Sequence, residues 1–506
     1  MFCQLARVKR VVAPMWLDAG MFRRIPVLMA LTVISASLVA CGGSSDTSAT
    51  GGDSKTVPPC PVDAFKKSKT PTKVTVWHAY VGSSQQTLQK LADQYNASHP
   101  DVVIDIQSQA NNAPELLQKY QRAVPTKVLP GVLIGEDWET QYLVDSKTIV
   151  PAEACAKVDK DPRAKIPDLL PAVKAAYTAN GLLQPGAFSV ATQIVGINTD
   201  HYKAAGLDPT KFPTTLAELR RDAEALKAKG ITTAPIVMQT NPWNMEFWVT
   251  GARQTMVNNN NGKSKRATKS TFDNPATHEA YQWLVDMVRD GLLQVVPAAD
   301  GNINDYLAMA TGKASIILQS SAAISTVAAV LEGNISSADL TAAGVQLPPG
   351  FKVSINLAMG QWPGLTAAGQ GQIGGSAWYI TNTNTPEVQS AAWDFLKWIN
   401  EIPNQVTWTV DGSFLPVRTG VLDDPKLKQA WSSTLKGQWF ANAFAGLQTL
   451  SPDFTGPYMG PYDDFRRMLQ KSLDDVTNGT KTPDEAIKSV ATGLTAALRK
   501  YDESNF

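Results

Sequence analysis

The sequence predicts an α/β fold in which two units each contain a sheet flanked by helices. Strand and helix patterns alternate along the first part of the chain. Later segments also have strand and helix patterns, and their apolar residues predict a second core. The chain of 506 residues is also longer than one hydrophobic core usually serves. We therefore expect an α/β protein with two domains.

The first unit has the order β-α-β-α-β. Its predicted elements are strands at 73–77, 102–106 and 131–135, with helices at 84–98 and 113–123 between them. Such alternation predicts a parallel sheet with helices on its faces, and ligands at the carboxyl ends of the strands.

The second unit begins after a hydrophobic stretch near residue 187. Its predicted elements are a strand at 193–198 and helices at 216–229 and 276–289. Farther along the chain, a strand at 375–381 leads into a helix at 386–400, and helices follow at 462–476 and 483–500. Residues 258–262, four asparagines and a glycine, have no apolar period and predict a solvated loop.

The N-terminus predicts export. Arg23 and Arg24 precede an apolar run at 25–39. The stretch Leu38-Val39-Ala40-Cys41, which closes this run, resembles a bacterial lipobox. Residues 1–40 are therefore expected to be a signal peptide, with translation starting at Met21 and lipid attached to Cys41. Residues 41–72 are rich in Gly, Ser, Thr, Pro and Lys and predict a flexible tether. We expect an extracytoplasmic protein anchored to the cell membrane by the lipidated Cys41.

Composition excludes several classes of function. Without residues 1–40 the chain has slightly more acidic than basic residues, which argues against a nucleic-acid partner. None of its four histidines lies at ligand spacing with a cysteine pair, so neither a metal nor a cofactor is expected. Cys60 and Cys155 are expected to form a disulfide in an oxidising compartment.

Several strings in order resemble the extracellular solute-binding proteins of ATP-binding-cassette (ABC) importers, the group of maltose- and glycerol-3-phosphate-binding proteins. The carriers of the resemblance are Val76-Trp77-His78 with residues 91–100, residues 198–209, Gly374-Gly375-Ser376-Ala377-Trp378 with residues 392–398, and residues 412–417. The resemblance implies a periplasmic-binding-protein-like fold of two lobes joined by hinge strands, closing over a ligand. It implies an N-terminal lobe of residues 73–187 and 372–420, and a C-terminal lobe of 188–371 and 421–506.

The resemblance also suggests a ligand cleft. A carbohydrate cleft needs flat aromatic faces and fixed hydrogen-bonding groups. Trp243 follows a turn and is expected to be a stacking platform, whereas Trp248, Trp283 and Trp393 lie on helical patterns and are expected in the core. The expected substrate-binding residues are Tyr80, Glu136, Asp137, Trp138, Asn241, Trp243, Gln319, Ser320, Ser321, Gly375, Arg418 and Tyr458.

One residue departs from the glycerol-3-phosphate binders. Tyr458 aligns where they carry a phosphate-holding arginine, and a tyrosine cannot neutralise phosphate as a guanidinium does. A phosphate ligand is therefore disfavoured, unless Arg418 supplies the cation from the hinge side.

The expected function is that of a monomeric, lipid-anchored binding component of an ABC importer. It would capture a sugar or glycerol-containing solute and deliver it to the transmembrane permease subunits. An extracytoplasmic carbohydrate-active hydrolase is the alternative, with Glu136 and Asp137 as an acid/base pair. Neighbouring residues on an extended chain point to opposite sides, so this pair seldom flanks one bond. A ligand-sensing partner of a membrane receptor is a third possibility.

Overall fold

The computed structural model describes residues 59–297, 304–332 and 355–505. The predictions for the signal peptide, the Met21 start and the lipidated Cys41 lie outside these residues. Within the described ranges, no helix has both the length and the apolar character needed to cross a membrane.

The first lobe contains a six-stranded sheet of order β2-β1-β3-β13-β4, with β7 also paired to β13. β1 is parallel to β2 and β3, whereas β13 is antiparallel to each of its partners. The strands are β1 Thr72–His78, β2 Val102–Ser108, β3 Val132–Glu136, β4 Ile149–Val150, β7 Ala187–Ala191 and β13 Gly374–Thr381; β5 Thr178–Ala179 and β6 Leu182–Leu183 form a separate hairpin.

The second lobe contains a five-stranded sheet of order β10-β9-β11-β8-β12. β9 is parallel to β10 and β11, and β8 is antiparallel to β11 and β12. Its strands are β8 Gln193–Asn198, β9 Ile236–Gln239, β10 Leu293–Val296, β11 Ile316–Ser320 and β12 Leu357–Gln361. The predicted two-lobe α/β fold, with each sheet flanked by helices, is confirmed.

The helices begin where the sequence provides caps. Asn112 accepts the Glu115 N–H, and Pro114 lies in the first turn of α2, which has the predicted bounds. The helices are α1 Gly82–Ser98, α2 Ala113–Ala123, α3 Thr140–Asp145, α4 Ala152–Val158, α5 Pro171–Tyr177, α6 Thr199–Ala205, α7 Leu216–Ala228, α8 Pro242–Gly251, α9 Asn258–Asn261, α10 Pro275–Arg289, α11 Asn304–Ala310, α12 Ile324–Glu332, α13 Pro386–Ile399, α14 Ile402–Gly412, α15 Pro425–Ser433, α16 Leu435–Gln448, α17 Tyr462–Thr477 and α18 Pro483–Asn505.

The chain crosses between the lobes three times. β7 pairs within the first sheet and β8 within the second, so the first crossing is at Thr192 and not at 187. The second crossing lies between β12 and β13 and includes residue 372. α15 packs on both α14 of the first lobe and α16, and α16 packs on β12 of the second lobe, so the third crossing lies between α14 and α16.

Part of the predicted tether is attached to the first lobe. Cys60 is disulfide-bonded to Cys155 of α4, with 4.9 Å between the Cα atoms. Phe65, in a 3₁₀ turn, is buried, and its N–H donates to Ser390 Oγ at 2.8 Å. Residues 60–65 therefore pack on the lobe, because a covalent bond and a buried aromatic ring hold them there, whereas residues 66–71 are exposed.

The asparagine run is also less solvated than its composition predicts. Asn261 is buried, and its Oδ1 accepts the Met256 N–H at 2.8 Å. Asn259 and Asn260 have positive φ, a conformation that asparagine tolerates better than most residues. The run forms a folded turn on the second lobe.

Candidate functional site

A cavity of about 330 Å³ lies where the two sheets face each other. Glu136 is the last residue of β3 and Ser320 the last of β11, while Tyr80 and Asn241 follow β1 and β9 by two residues. The carboxyl ends of strands from both lobes therefore supply the polar groups, as the topology predicts. The cavity is lined by Tyr80, Glu136, Asp137, Ala191, Asn241, Trp243, Ser320, Ala322, Gly374, Gly375, Ser376, Phe414 and Arg466.

Aromatic rings from both lobes line the cavity. The Tyr80 ring lies 5.3 Å from that of Phe414, and its hydroxyl donates to Ser189 Oγ at 2.7 Å. Trp243 stands in the first turn of α8, where Asn241 Oδ1 accepts its N–H at 2.9 Å. Because the cap and the turn fix these positions, the rings present apolar faces without large conformational freedom.

Two glycines allow the backbone of β13 to approach these groups. A Cβ at Gly374 would meet the Trp243 ring at 2.2 Å. Gly375 has φ +96°, and a Cβ there would meet the Ser189 carbonyl oxygen at 2.2 Å. Both positions require glycine, because a side chain would displace the cavity wall.

The first lobe contributes two carboxyl groups. Ser376 Oγ donates to Glu136 Oε1 at 2.7 Å. Burial raises the pKa of Glu136 and raises that of Asp137 well above its usual range, although the Arg466 charge acts in the opposite direction on both. These groups can accept hydrogen bonds from hydroxyls or pair with a cation.

The second lobe contributes Arg466, from α17. Its Nε lies 3.0 Å from Oε1 of Glu246, which is buried in α8. The guanidinium also lies 5.6 Å from the centre of the Trp138 ring. Burial raises the pKa of Glu246, and the Arg466 charge counteracts this.

The sequence analysis missed both members of this pair. Arg466 follows Asp463 and Asp464 on α17 and resembles part of a solvated helix face. A signal was present in α8, because Glu246 is a lone acidic residue in an otherwise mainly apolar helix. A buried carboxylate requires a partner, so Glu246 predicts a nearby cation without identifying it.

Seven of the expected site residues line the cavity together. They are Tyr80, Glu136, Asp137, Asn241, Trp243, Ser320 and Gly375. Trp248 and Trp393 are buried as expected, and Trp283 is half-buried on α10.

Three expected site residues close to the cavity have structural contacts instead. Trp138 is buried and packs against Tyr462, with 6.4 Å between ring centres. Gln319 Nε2 donates to Asp305 at 2.8 Å, and Ser321 Oγ accepts the Thr192 N–H at 3.0 Å. These contacts stabilise the residues around the cavity and the chain at Thr192, where it crosses between the lobes.

The two residues considered for phosphate lie elsewhere. Arg418 Nη2 lies 2.8 Å from Asp168 Oδ1, and its Nη1 donates to the Asn400 carbonyl oxygen at 2.7 Å. The Tyr458 ring is buried with Lys263 Nζ 4.0 Å from its centre. Neither residue lines the cavity, and the cation in the cavity lining is Arg466, which is paired with Glu246.

Comparisons with known proteins agree with this architecture. Residues 90–434 match the family described as bacterial extracellular solute-binding protein. The chain is 22% identical over 438 residues to the sn-glycerol-3-phosphate-binding periplasmic protein UgpB of Yersinia pseudotuberculosis, covering 86% of this chain and 94% of that protein. UgpB of Escherichia coli O1:K1 is also 22% identical, over 436 residues and with the same coverage.

Two solved structures share the fold. The GacH receptor of Streptomyces glaucescens, solved unliganded and with acarbose, superposes with a TM-score of 0.67 at 19% identity, covering 85% of this chain and 99% of that one. UgpB of Mycobacterium tuberculosis, solved with glycerophosphocholine, superposes with a TM-score of 0.66 at 16% identity, covering 86% and 100%.

Proposed function

This chain belongs to the bacterial extracellular solute-binding protein family, and we propose that it captures a sugar or glycerol-containing solute in the cleft for an ABC importer. The observation that carries the proposal is the cavity itself. Aromatic faces from both lobes meet fixed polar groups in one space of about 330 Å³ between two sheets. A small polyhydroxylated solute offers C–H faces for the rings and hydroxyls for the polar groups.

Capture would proceed by closure of the two lobes. Tyr80, Glu136 and Asp137 would hold one side of the solute, and Asn241, Trp243 and Ser320 the other. Selectivity would come from polar groups that a wrong ligand leaves unpaired in a water-poor cleft. The closed form would then be the one that the permease recognises.

A ligand screen tests the binding step. The purified protein is titrated with mono- and oligosaccharides, glycerol-3-phosphate and glycerophosphodiesters, and thermal unfolding is followed. A ligand at about 100 times its dissociation constant stabilises by about 2.7 kcal/mol. Products are analysed in parallel, because release of a cleaved sugar would favour the hydrolase alternative.

A matched pair of variants locates the site. Trp243→Ala should abolish the ligand-induced shift, whereas Trp283→Ala, which removes a half-buried tryptophan outside the cavity, should retain it. If both variants lose the ligand-induced shift equally, or if both retain it, the ligand binds outside this cleft.

Membrane attachment through Cys41 is part of the same proposal. The lipobox-like stretch at 38–41 and the polar residues after it support it. Cys41→Ser should release the protein from the membrane fraction without changing its ligand affinity. Retention of the variant in membranes would contradict lipid attachment at this residue.

A further inference from the structure

The cleft contains more acidic groups than cations. Glu136 and Asp137 line the cavity, and Glu246 lies directly behind Arg466. Among the described residues that line the cavity, Arg466 is the only cation. Three carboxyl groups therefore surround one guanidinium.

That guanidinium is committed to one of the three. Arg466 Nε donates to Glu246 Oε1 at 3.0 Å, and Arg466 Nη2 donates to Glu246 Oε2 at 3.4 Å, so the ion pair is bidentate. Glu246 is fixed further by Gln372 Nε2 at 3.1 Å and the Tyr462 hydroxyl at 3.3 Å. Glu136 and Asp137 face the same cavity and feel the Arg466 charge, but among the described residues neither forms an ion pair with a cation.

Neighbouring groups only partly offset the cost of holding a negative charge on these two carboxyls. Glu136 accepts a hydrogen bond from the neutral Ser376 hydroxyl. Asp137 lies in the field of Glu136 and Glu246 as well as that of Arg466. Two like charges in a low-dielectric cleft repel each other more strongly than in water, and either a proton or a partner of opposite charge relieves the repulsion.

The same cavity provides a second feature that suits a cation. The rings of Tyr80, Trp243 and Phe414 line it together with the two carboxyls. Aromatic faces attract ammonium groups and trimethylammonium groups through the ring quadrupole, and the attraction strengthens when water is excluded. A neutral sugar stacks on the rings and donates hydroxyl hydrogen bonds to the carboxyls, whereas a cation adds a charge interaction with both the rings and the carboxylates.

We propose that the solute carries a positively charged nitrogen, held by Glu136 and Asp137 against the aromatic faces of the cleft. This inference rests on the proposed capture function and narrows its solute class. The charge could belong to an amino sugar or to the quaternary ammonium of a glycerophosphodiester. A solute whose only charge is a phosphate is disfavoured, because the guanidinium is already paired.

Matched ligands test the charge directly. Calorimetric titration of the purified protein compares glucosamine with glucose and N-acetylglucosamine, and glycerophosphocholine with glycerol-3-phosphate. In at least one series the cationic member should bind about tenfold more tightly or better than its partners without a positive charge. The series in which this occurs identifies the source of the nitrogen.

Variants then assign the preference to residues. In the double variant Glu136→Gln, Asp137→Asn the affinity ratio between cationic and uncharged members should fall to about one. Asp423→Asn, which removes an exposed carboxylate that does not line the cavity, should leave the ratio unchanged. A double variant that binds the cationic ligand as well as the parent protein does would overturn the inference.

The outcomes separate this inference from the capture function. If only uncharged or anionic members bind, the two carboxyls serve as hydroxyl acceptors, and the charge inference fails while solute capture stands. If no member of these series or of the wider ligand screen binds, both fail.

Discussion

Two groups of carboxyls in the first lobe differ in their ion pairs: among the described residues, the group in its interior is paired with cations, whereas Glu136 and Asp137 in the cleft are not. In that interior network, Lys397 Nζ lies 2.8 Å from Asp159 Oδ2, 3.0 Å from Asp161 Oδ2 and 3.4 Å from Asp394 Oδ1. Arg163 Nη2 lies 2.7 Å from Asp161 and 3.0 Å from Asp394. Every carboxylate of the network therefore contacts at least one cation.

The pKa shifts of the two groups have opposite directions. A hydrogen bond from Arg163 lowers the pKa of Asp161. Burial raises the pKa of Asp159, but contacts that include a hydrogen bond from Lys397 outweigh it and the net shift is downward. In the cleft, burial raises the pKa of Glu136 and Asp137, and the opposing effect of the Arg466 charge is too small to reverse it.

The comparison shows how one residue type serves two purposes. A carboxylate bonded to its own lysine or arginine is satisfied and stabilises a unique packing. A carboxylate left facing a cavity costs free energy in the empty protein, and a ligand can relieve that cost. The interior network therefore stabilises the lobe, whereas the cleft carboxyls are available for binding.

The largest expected effect comes from breaking the interior network. Lys397→Met leaves three carboxylates around an apolar side chain and should lower the free energy of unfolding by about 3–5 kcal/mol, measured by urea denaturation. Lys428→Met removes an exposed lysine that pairs with Asp423, and this substitution should change the free energy of unfolding by less than about 1 kcal/mol. Similar losses in the two variants would contradict the distinction.

The disulfide stabilises the same lobe without charge. Cys60 and Cys155 are 95 residues apart, and Cys60→Ser together with Cys155→Ser should lower the free energy of unfolding by about 2–4 kcal/mol. Because the bond acts mainly on the unfolded chain, the loss should be the same at pH 4 and pH 7. A strongly pH-dependent loss would show that the bridge positions the network as well.

Removal of a cleft carboxyl should affect binding more than folding. Asp137→Asn should weaken binding of the solute found in the ligand screen by about 1.5–3 kcal/mol, because a charged hydrogen-bond partner is lost. Calorimetry measures this change in binding free energy. Near pH 4, where the folded protein holds Asp137 protonated, the substitution should change the free energy of unfolding by less than about 1 kcal/mol. Marked destabilisation with unchanged affinity would make Asp137 part of the structural network.

The smallest effect is a difference in pH dependence. Asp161 has a lowered pKa, so its contribution to stability is present above its unfolded pKa of about 3.9 and is lost as the pH falls below it. Asp137 has a raised pKa, so its protonated form favours the folded state near pH 4 and this advantage is lost as the pH rises.

Urea denaturation from pH 3 to pH 7 compares Asp161→Asn and Asp137→Asn with the parent protein. The deficit of Asp161→Asn should grow with pH, while Asp137→Asn should become more stable relative to the parent. Parallel curves would contradict the opposite environments of the two carboxyls.

Much of the fold follows from local sequence patterns. α2 and β8 have the predicted bounds, because their apolar periods and the Asn112 cap act within a few residues. The position of Glu136 and Asp137 in the cavity was also predictable, since they follow a buried strand whose carboxyl end must lie at the ligand edge of the sheet. Trp243 was predicted as a site residue because it follows a turn in the sequence, and it lines the cavity from the first turn of α8.

The remaining site residues depend on distant parts of the chain. Arg418 and Arg466 both have the sequence character of available cations, yet one pairs with Asp168 and the other enters the cleft. Phe414 and Ser376 reach the cavity only because the chain returns to the first lobe after β12. No pattern of neighbouring residues distinguishes these outcomes.

The sequence by itself determined the two α/β units, the helix caps, the family and the strand ends that form the cleft, because periodicity and capping act over a few residues. Only the tertiary structure decided which cation each carboxylate receives. Lys397 joins Asp159 across 238 positions, and Arg466 joins Glu246 across 220. Such pairs form only when the fold brings both side chains out of water together, and so they distinguish the interior network from the cleft.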